Sequence, residues 1–180
     1  MGLAGRRRAV HDVWMTSESS TRAPGRPVRL IEGQAASDRA ARALAAYFAE
    51  LDERLEGGFR QDLLEQVPPQ EVTPPRGDFL LVTELGTGKV LGCGGVRVLE
   101  EGTVELRRMW LVPDVRGQGL GRFLLRALEN RARALGGRRV VLSLNRALTE
   151  ALALYESAGY TPVEAFEENP YVDLFLGKEL

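Results

Sequence analysis

Two apolar runs open the clearly patterned half of the chain, and turn residues divide them. Residues 79–85 and 90–100 are rich in β-branched and aliphatic side chains and are separated by Gly86-Thr87-Gly88, which predicts a hairpin. Glu101-Gly102 then turns the chain into a third run that begins at Val104, and Pro113 ends it because proline has no N–H to give a sheet ladder. The period now changes from two to 3.6. Leu120, Leu124, Leu128 and Leu135 recur at helical spacing, and Gly136-Gly137 supplies a stop. Residues 139–145 are apolar and β-branched again, and their place after a helix predicts a strand parallel to the one at Val104. Thr149 reads as the cap of a short helix carrying Leu152, Leu154 and Tyr155, ended by Ala158-Gly159-Tyr160, and residues 161–164 and 171–176 read as two closing strands.

Upstream the pattern is sparser. Residues 28–32 predict a short strand, Ser37 an N-cap, and Leu44, Tyr47, Phe48, Leu51 and Leu55 an amphipathic helix that stops at Gly57-Gly58. Glu50, Asp52, Glu53 and Glu56 cluster near its end and read as a solvated face. Because carboxylates oppose the dipole there, a face turned toward an amine is the alternative. Residues 59–77 hold Pro68-Pro69 and Pro74-Pro75, so at most a short helix over 61–66 fits inside a long loop, and such loops commonly serve as lids or binding loops. Residues 1–27 are rich in Arg, Ser, Thr, Gly and Pro and predict a disordered tail, leaving 28–180 as one domain. The tail lacks the apolar segment of a signal peptide. Its Arg6-Arg7-Arg8 reads as solvated, with an acidic partner as the alternative, and Met15 is a candidate natural start.

Composition removes several kinds of chemistry. A net charge of −1 over 180 residues argues against a general nucleic-acid binder. Cys93 is the one cysteine and His11 the one histidine, so disulfides, cysteine or histidine metal sites and Ser-His or Cys-His catalysis are excluded. Cys93 itself, between Gly92 and Gly94, reads as a small packed residue. Apart from Lys89 and Lys178 the basic residues are arginines, which reads as a genomic bias. No apolar run approaches a membrane span, so the expectation is a soluble cytoplasmic protein.

Chemistry concentrates between the Val104 strand and the Leu120 helix, in Asp114-Val115-Arg116-Gly117-Gln118-Gly119-Leu120-Gly121-Arg122. Glycines at alternate positions let backbone N–H groups converge, and the unpaired N–H groups of a new helix add a positive end, so the loop predicts an anion site. Arg116 and Arg122 fit an anion lying between them. A P-loop needs Lys-Ser/Thr after its last glycine, and Arg122-Phe123 follows here. A dinucleotide fingerprint needs G-x-G-x-x-G, and the order here is Gly117-x-Gly119-x-Gly121.

The loop resembles the acyl-CoA loop of the GNAT N-acetyltransferase superfamily, Arg/Gln-x-x-Gly-x-Gly/Ala, with Arg116, Gly119 and Gly121 on its fixed positions. A second resemblance is Asn145 followed by Ala151-x-x-Leu154-Tyr155-x-x-x-Gly159-Tyr160, and a third is the Glu-Leu-Arg-Arg-Met-Trp-Leu run, similar to bacterial single-domain members. The order of predicted elements is also that of the family, strongly over 78–180 and weakly over 28–77. The resemblance implies an α/β (α+β) GNAT fold, a mixed and strongly twisted sheet of six to seven strands flanked by about four helices. It implies acetyl transfer from acetyl-CoA to a primary amine by direct attack in a ternary complex, without a metal.

By the same resemblance Glu105 is the base, directly or through a water; its alternative is a strand carboxylate paired with an arginine. A base is needed because an alkylamine with a pKa near ~10 is only about one part in a thousand neutral at pH 7. Tyr155 matches the proton donor to the leaving sulfur, or else packs as a helix aromatic. Trp110, Leu111 and Val112 lie where the family's bulged strand offers an N–H to the developing oxyanion. Arg116, Gly117, Gln118, Gly119, Leu120, Gly121 and Arg122 would hold the pyrophosphate, and Asn145 the pantetheine arm or a water, with helix capping as its alternative. Glu164, Glu167, Glu168 and Asp173 hint at a cationic acceptor, a small molecule or a peptide. No nucleic acid or membrane partner is expected, and a homodimer is compatible with the family. A non-catalytic acyl-CoA-binding module is the competing reading; it should lack the donor, and Tyr155 is present.

Overall fold

A computed structural model describes residues 18–23, 26–60 and 69–180. The expected helix over 61–66 and the tail residues 1–17 lie outside them. The described chain runs β1 (Glu18–Ala23), β2 (Arg26–Ile31), α1 (Asp38–Arg54), β3 (Gly77–Glu84), β4 (Val90–Glu100), β5 (Thr103–Leu111), α2 (Leu120–Ala134), β6 (Arg139–Leu144), α3 (Thr149–Ser157), β7 (Thr161–Pro162) and β8 (Leu174–Glu179). Short 3₁₀ turns at Pro69–Val72 and Pro113–Val115 precede β3 and α2.

One eight-stranded sheet, ordered β1-β2-β3-β4-β5-β6-β8-β7, carries the helices. Every neighbouring pair is antiparallel except β5–β6, which is parallel as the β-α-β sequence order predicts. The strand count therefore exceeds the expected six to seven, and three α-helices occur among the described residues where about four were expected. The extra strand is β1, which pairs with β2 inside the span expected to be disordered. It was hidden because Glu18-Ser19-Ser20-Thr21-Arg22-Ala23 has no apolar alternation, and an edge strand is held by its backbone ladder more than by buried side chains. The closing strands also moved: β7 is a two-residue stub, and β8 begins at Leu174, later than the expected 171.

Local signals are otherwise obeyed. The Ser37 hydroxyl accepts from the Ala40 N–H at 3.1 Å, and α2 ends at Ala134, with Leu135 at its C-cap and Gly136 in the left-handed region at φ +86°. Thr149 is the first helical residue of α3; the cap position is Leu148, which makes no side-chain cap. Leu80, Leu124, Leu125 and Leu128 are fully buried where α2 crosses the sheet, each contributing about 1.5–3 kcal/mol of burial.

The decisive irregularity lies in β5. Gly92 faces Leu111 and Cys93 faces Trp110, but Gly95 faces Arg107, so Arg108 and Met109 together oppose Gly94. This is a β-bulge, and Arg108 takes φ +52° to make it. On its other edge β5 pairs with β6 only at residues 103–105, so residues 106–111 have no partner on β6 and the two strands part. Gly92 keeps β4 close beside the bulge: a Cβ there would run into the Trp110 carbonyl oxygen and the Leu111 side chain. Gly92→Ala should destabilise the fold by about 1–3 kcal/mol, the usual cost of overpacking, measured by urea denaturation.

Candidate active site

Two adjoining clefts lie along the bulged strand where β5 and β6 part. The first, about 320 Å³, lies beside the glycine loop and is lined by Tyr47, Glu50, Trp110, Arg116, Gly117, Gly119, Gly121, Arg122, Leu154 and Tyr155 among others. The second, about 120 Å³, lies between β5 and β6 and is lined by Phe48, Phe59, Glu105, Arg107, Arg108, Ser143, Asn145, Glu167 and Tyr171 among others. Both are lined by Tyr47, Leu51, Met109, Leu148, Ala151 and Tyr155, so the two clefts meet at the Tyr155 side chain.

The glycine loop fits an anion. Gly117 and Gly119 adopt φ +74° and +81°, a conformation β-branched residues avoid, and a Cβ on Gly117 would meet nothing within 4 Å, so space stands open there. Gly119 caps α2 without any side-chain bond, and no acidic residue occupies the first turn. Backbone N–H groups at that helix end are thus left for a ligand such as a pyrophosphate. Arg122 lines the cleft while one of its Nη atoms donates to the Ser157 hydroxyl at 2.8 Å. Leu120 points into the core, and Gln118 turns outward, donating to the Asp114 carbonyl at 3.0 Å.

Arg116 differs from expectation. Its guanidinium donates to the Leu111 carbonyl at 3.0 and 2.7 Å and grips the Glu50 carboxylate in a two-pronged pair at 2.8 and 2.5 Å. It ties the loop to β5 and α1 instead of reaching toward an anion. Glu50, read from sequence as one of a solvated cluster, is the hub: it also accepts from the Trp110 indole N–H at 2.8 Å and from Arg54 at 3.3 Å. Arg54 in turn bridges to Glu150 at 2.7 Å and so links α1 with α3. Against the opposing effect of burial, the hydrogen bonds from Arg116 and Trp110 hold the Glu50 carboxyl down at about 2. The signal in sequence was faint: Glu50 lies between the apolar Tyr47 and Leu51 with Arg54 one turn on, but its partners Trp110 and Arg116 are distant.

Glu105 is not an exposed carboxylate. Its side chain is 2 % exposed, with Arg97 Nε 2.5 Å from one oxygen and Arg107 Nε 3.5 Å from the other, and Arg97 also reaches Glu71 at 2.9 Å. Burial lifts its pKa above the ordinary carboxylate value, against the pull of Arg107 and Arg97. Tyr155 is buried, and its hydroxyl contacts Met109 Sδ at 3.7 Å. Burial raises its pKa as well, so the phenol keeps its proton.

Two other expectations are revised. The Val112 N–H donates to the Leu91 carbonyl at 2.9 Å and is engaged in the sheet, while Leu111 presents its carbonyl to Arg116. Asn145 lies in the second cleft, away from the glycine loop; its amide donates to the Tyr171 carbonyl and accepts from the Ala147 N–H, both at 2.9 Å, so it braces the turn before α3 and does not cap that helix. Of the acidic residues near the end of the chain, Glu167 lines the second cleft and Asp173 accepts from the Arg146 N–H at 2.9 Å, while Glu164 and Glu168 face solvent. Cys93 is buried and its thiol is pushed up to about 12 by burial, in keeping with a packing role. No helix among the described residues is long and apolar enough to cross a membrane.

An open sheet with one parallel pair, a bulged strand beside it and a glycine loop opening a helix is the architecture of the GNAT fold. The model of the Acetyltransferase (GNAT) family matches residues 37–160, and the chain belongs to that family. An IAA acetyltransferase of Azospirillum brasilense is 33% identical over 115 residues, covering 62% of this chain and 73% of that one. The uncharacterised N-acetyltransferase YjgM of Escherichia coli K12 is 36% identical over 80 residues, 43% of this chain and 48% of its own, so the match spans about half of that relative's length. Among solved structures, a candidate acyl-CoA N-acyltransferase from Klebsiella pneumoniae superposes with a TM-score of 0.67 at 30% identity, covering 84% of this chain and 96% of that one.

If the Glu50 hub holds the loop, Glu50→Gln should cost about 1.5–3 kcal/mol at pH 7, the range for hydrogen bonds to a charged group. A depressed folded pKa means the stabilisation is present above the ordinary value of 4.5 and is lost as pH falls toward about 2. The difference in Tm between the wild type and Glu50→Gln should therefore be constant from pH 7 to 5 and shrink below it.

Proposed function

We propose that the protein transfers an acetyl group from acetyl-CoA to a primary amine within a ternary complex. The observation that carries this reading is the meeting of two clefts at Tyr155, one opening on an anion-binding helix end and the other lined by carboxylates. A two-substrate reaction needs such a junction, because the reacting atoms must be brought together from opposite sides.

In this reading the N–H groups at the start of α2, with Gly117, Gly119 and Arg122, bind the pyrophosphate, and Arg116 shapes the loop through Glu50. Trp110 supports the same hub through its indole. Acetyl-CoA supplies the activated thioester. Glu105 receives a proton from the ammonium form of the acceptor, directly or through a water, and its raised pKa brings it nearer to that task than an ordinary carboxylate. The freed nitrogen lone pair forms the N–C bond as the C–S bond breaks, and the electron pair leaves with sulfur. Tyr155, kept protonated by burial, donates the proton that makes the free thiol and is reprotonated by the second proton that leaves the nitrogen as the amide forms. The products balance as an N-acetylated amine, CoA thiol and one released proton.

Incubating the protein with acetyl-CoA and a panel of amines while following thiol release tests the proposal. Acceptor-dependent release is expected; binding of acetyl-CoA without release to any amine would favour the non-catalytic module. Gly119→Val should weaken CoA binding roughly tenfold or more, because a β-branched residue resists φ +81° and its side chain intrudes on the phosphate path. Calorimetric titration checks this, and unchanged affinity in a folded variant would remove the loop from the site. Tyr155→Phe should lower turnover by roughly ten- to a thousand-fold with near-constant CoA affinity, since the hydroxyl is needed only as the thiolate forms. Steady-state kinetics alongside direct CoA binding separates the two quantities.

A further inference from the structure

The second cleft contains charges that the proposed transfer does not use. Arg108 lines it with its guanidinium carbon 5.6 Å from the centre of the Phe48 ring, and among the described residues no carboxylate comes within ion-pair distance of it. Its neighbour Arg107 touches Glu105 through Nε, but its Nη1 is buried without any hydrogen-bond partner. A buried guanidinium N–H left unpaired costs free energy and is a sign of a missing acceptor. Across the same cleft Glu167 is half-buried and accepts only the Ser143 hydroxyl, at 2.7 Å, with no cation paired to it among the described residues. Unmatched charges of both signs thus face one small space. Its remaining walls include Phe48, Phe59 and Tyr171, with Phe59 stacked on Phe48 at 5.5 Å and tilted against Tyr171 at 4.8 Å.

The backbone supports the same conclusion independently. Arg108 is the one residue other than glycine with positive φ among the described residues. A long side chain in that conformation costs about as much as other sparsely populated backbone states and persists where the surroundings demand it, typically at functional sites. Gly or Asn would make the bulge with less strain. Retaining arginine at that position is explained if the guanidinium itself is used.

We infer that the acceptor is a zwitterionic amino acid with an apolar side chain, its carboxylate held by Arg107 and Arg108 and its ammonium facing Glu105 and Glu167. Guanidinium groups match a carboxylate in shape and charge, and the aromatic walls suit the apolar side chain. A simple alkylamine would leave Arg108 and the Arg107 Nη1 unmatched, so the site discriminates against the acceptor that lacks the carboxylate. This inference rests on the proposed acetyl transfer only for the identity of the reacting nitrogen.

The experiment compares L-leucine with 3-methylbutylamine and L-phenylalanine with 2-phenylethylamine, each pair differing only in the carboxylate. Thiol release is measured for the wild type and for Arg108→Asn, chosen because Asn tolerates the left-handed backbone while removing the guanidinium; Arg108→Lys serves as a second variant that keeps the charge. For at least one pair the wild type should prefer the amino acid by about tenfold or more in kcat/KM, and in Arg108→Asn that ratio should fall toward one, with part of it restored by Arg108→Lys. Equal or better use of the decarboxylated amines by the wild type, or an unchanged ratio in folded Arg108→Asn, would overturn the inference while leaving acetyl transfer intact. Calorimetric titration of the same compounds into the CoA-saturated protein distinguishes the other failure. Carboxylate-dependent binding without turnover would uphold the zwitterion site and overturn the transfer reading, and neither binding nor turnover of the amino acids would overturn this inference.

Discussion

The bulge at Arg108 is the constraint on which the rest of the molecule depends. Two residues of β5 opposing one of β4 bend the strand, and beyond Glu105 it no longer pairs with β6. A regular strand would have continued the ladder and closed the sheet, leaving no space between the two strands. The left-handed residue that makes the bulge costs of order 1–3 kcal/mol. That cost is offset by the packing on both sides, where Gly92 lets β4 approach and α2 buries its leucines across β3, β4 and β5.

Around that opening two carboxylates, Glu50 and Glu105, are each held by a pair of arginines. Arg116, Arg54 and Glu50 fasten the loop, α1 and α3 to one another, so the glycine loop is held by side chains that do not themselves face an anion. The loop can then present backbone N–H groups in a fixed arrangement, which avoids the ordering cost a mobile loop would meet on binding. Arg97 and Arg107 do the corresponding work for Glu105. A carboxylate buried to that degree without cationic neighbours would be neutral, and one more exposed would have an ordinary pKa.

Tyr155 links the two halves physically. Its ring packs edge-on against Tyr160 at 5.5 Å while its hydroxyl reaches Met109 in the bulged segment, so the same side chain belongs to the core and to the junction of the clefts. The packing and donor alternatives for this residue are thus compatible in space, since the ring and the hydroxyl meet different surroundings.

Elements governed by local chemistry were legible from the sequence alone. The hairpin of β3 and β4, the amphipathic helices α1 and α2, the Ser37 cap, the glycine stop after α2 and the glycine loop that opens α2 each follow from a few adjacent residues. Two motifs at the right separation also made the family legible. Tertiary structure decided what depends on partners far apart in the chain. Glu50 looked like any surface glutamate because Trp110 and Arg116 lie more than fifty residues away. Arg116 looked like an anion ligand because its carboxylate partner was invisible. Asn145 turned toward Tyr171 for the same reason. The Arg107-Arg108 pair interrupts an apolar strand, a trace of the bulge, but only the register against Gly94 and Gly95 fixes which residue takes the positive φ and where its side chain goes. Propensity and periodicity act over one or two turns of chain, whereas ion pairs and strand register are set by whichever groups the fold brings together.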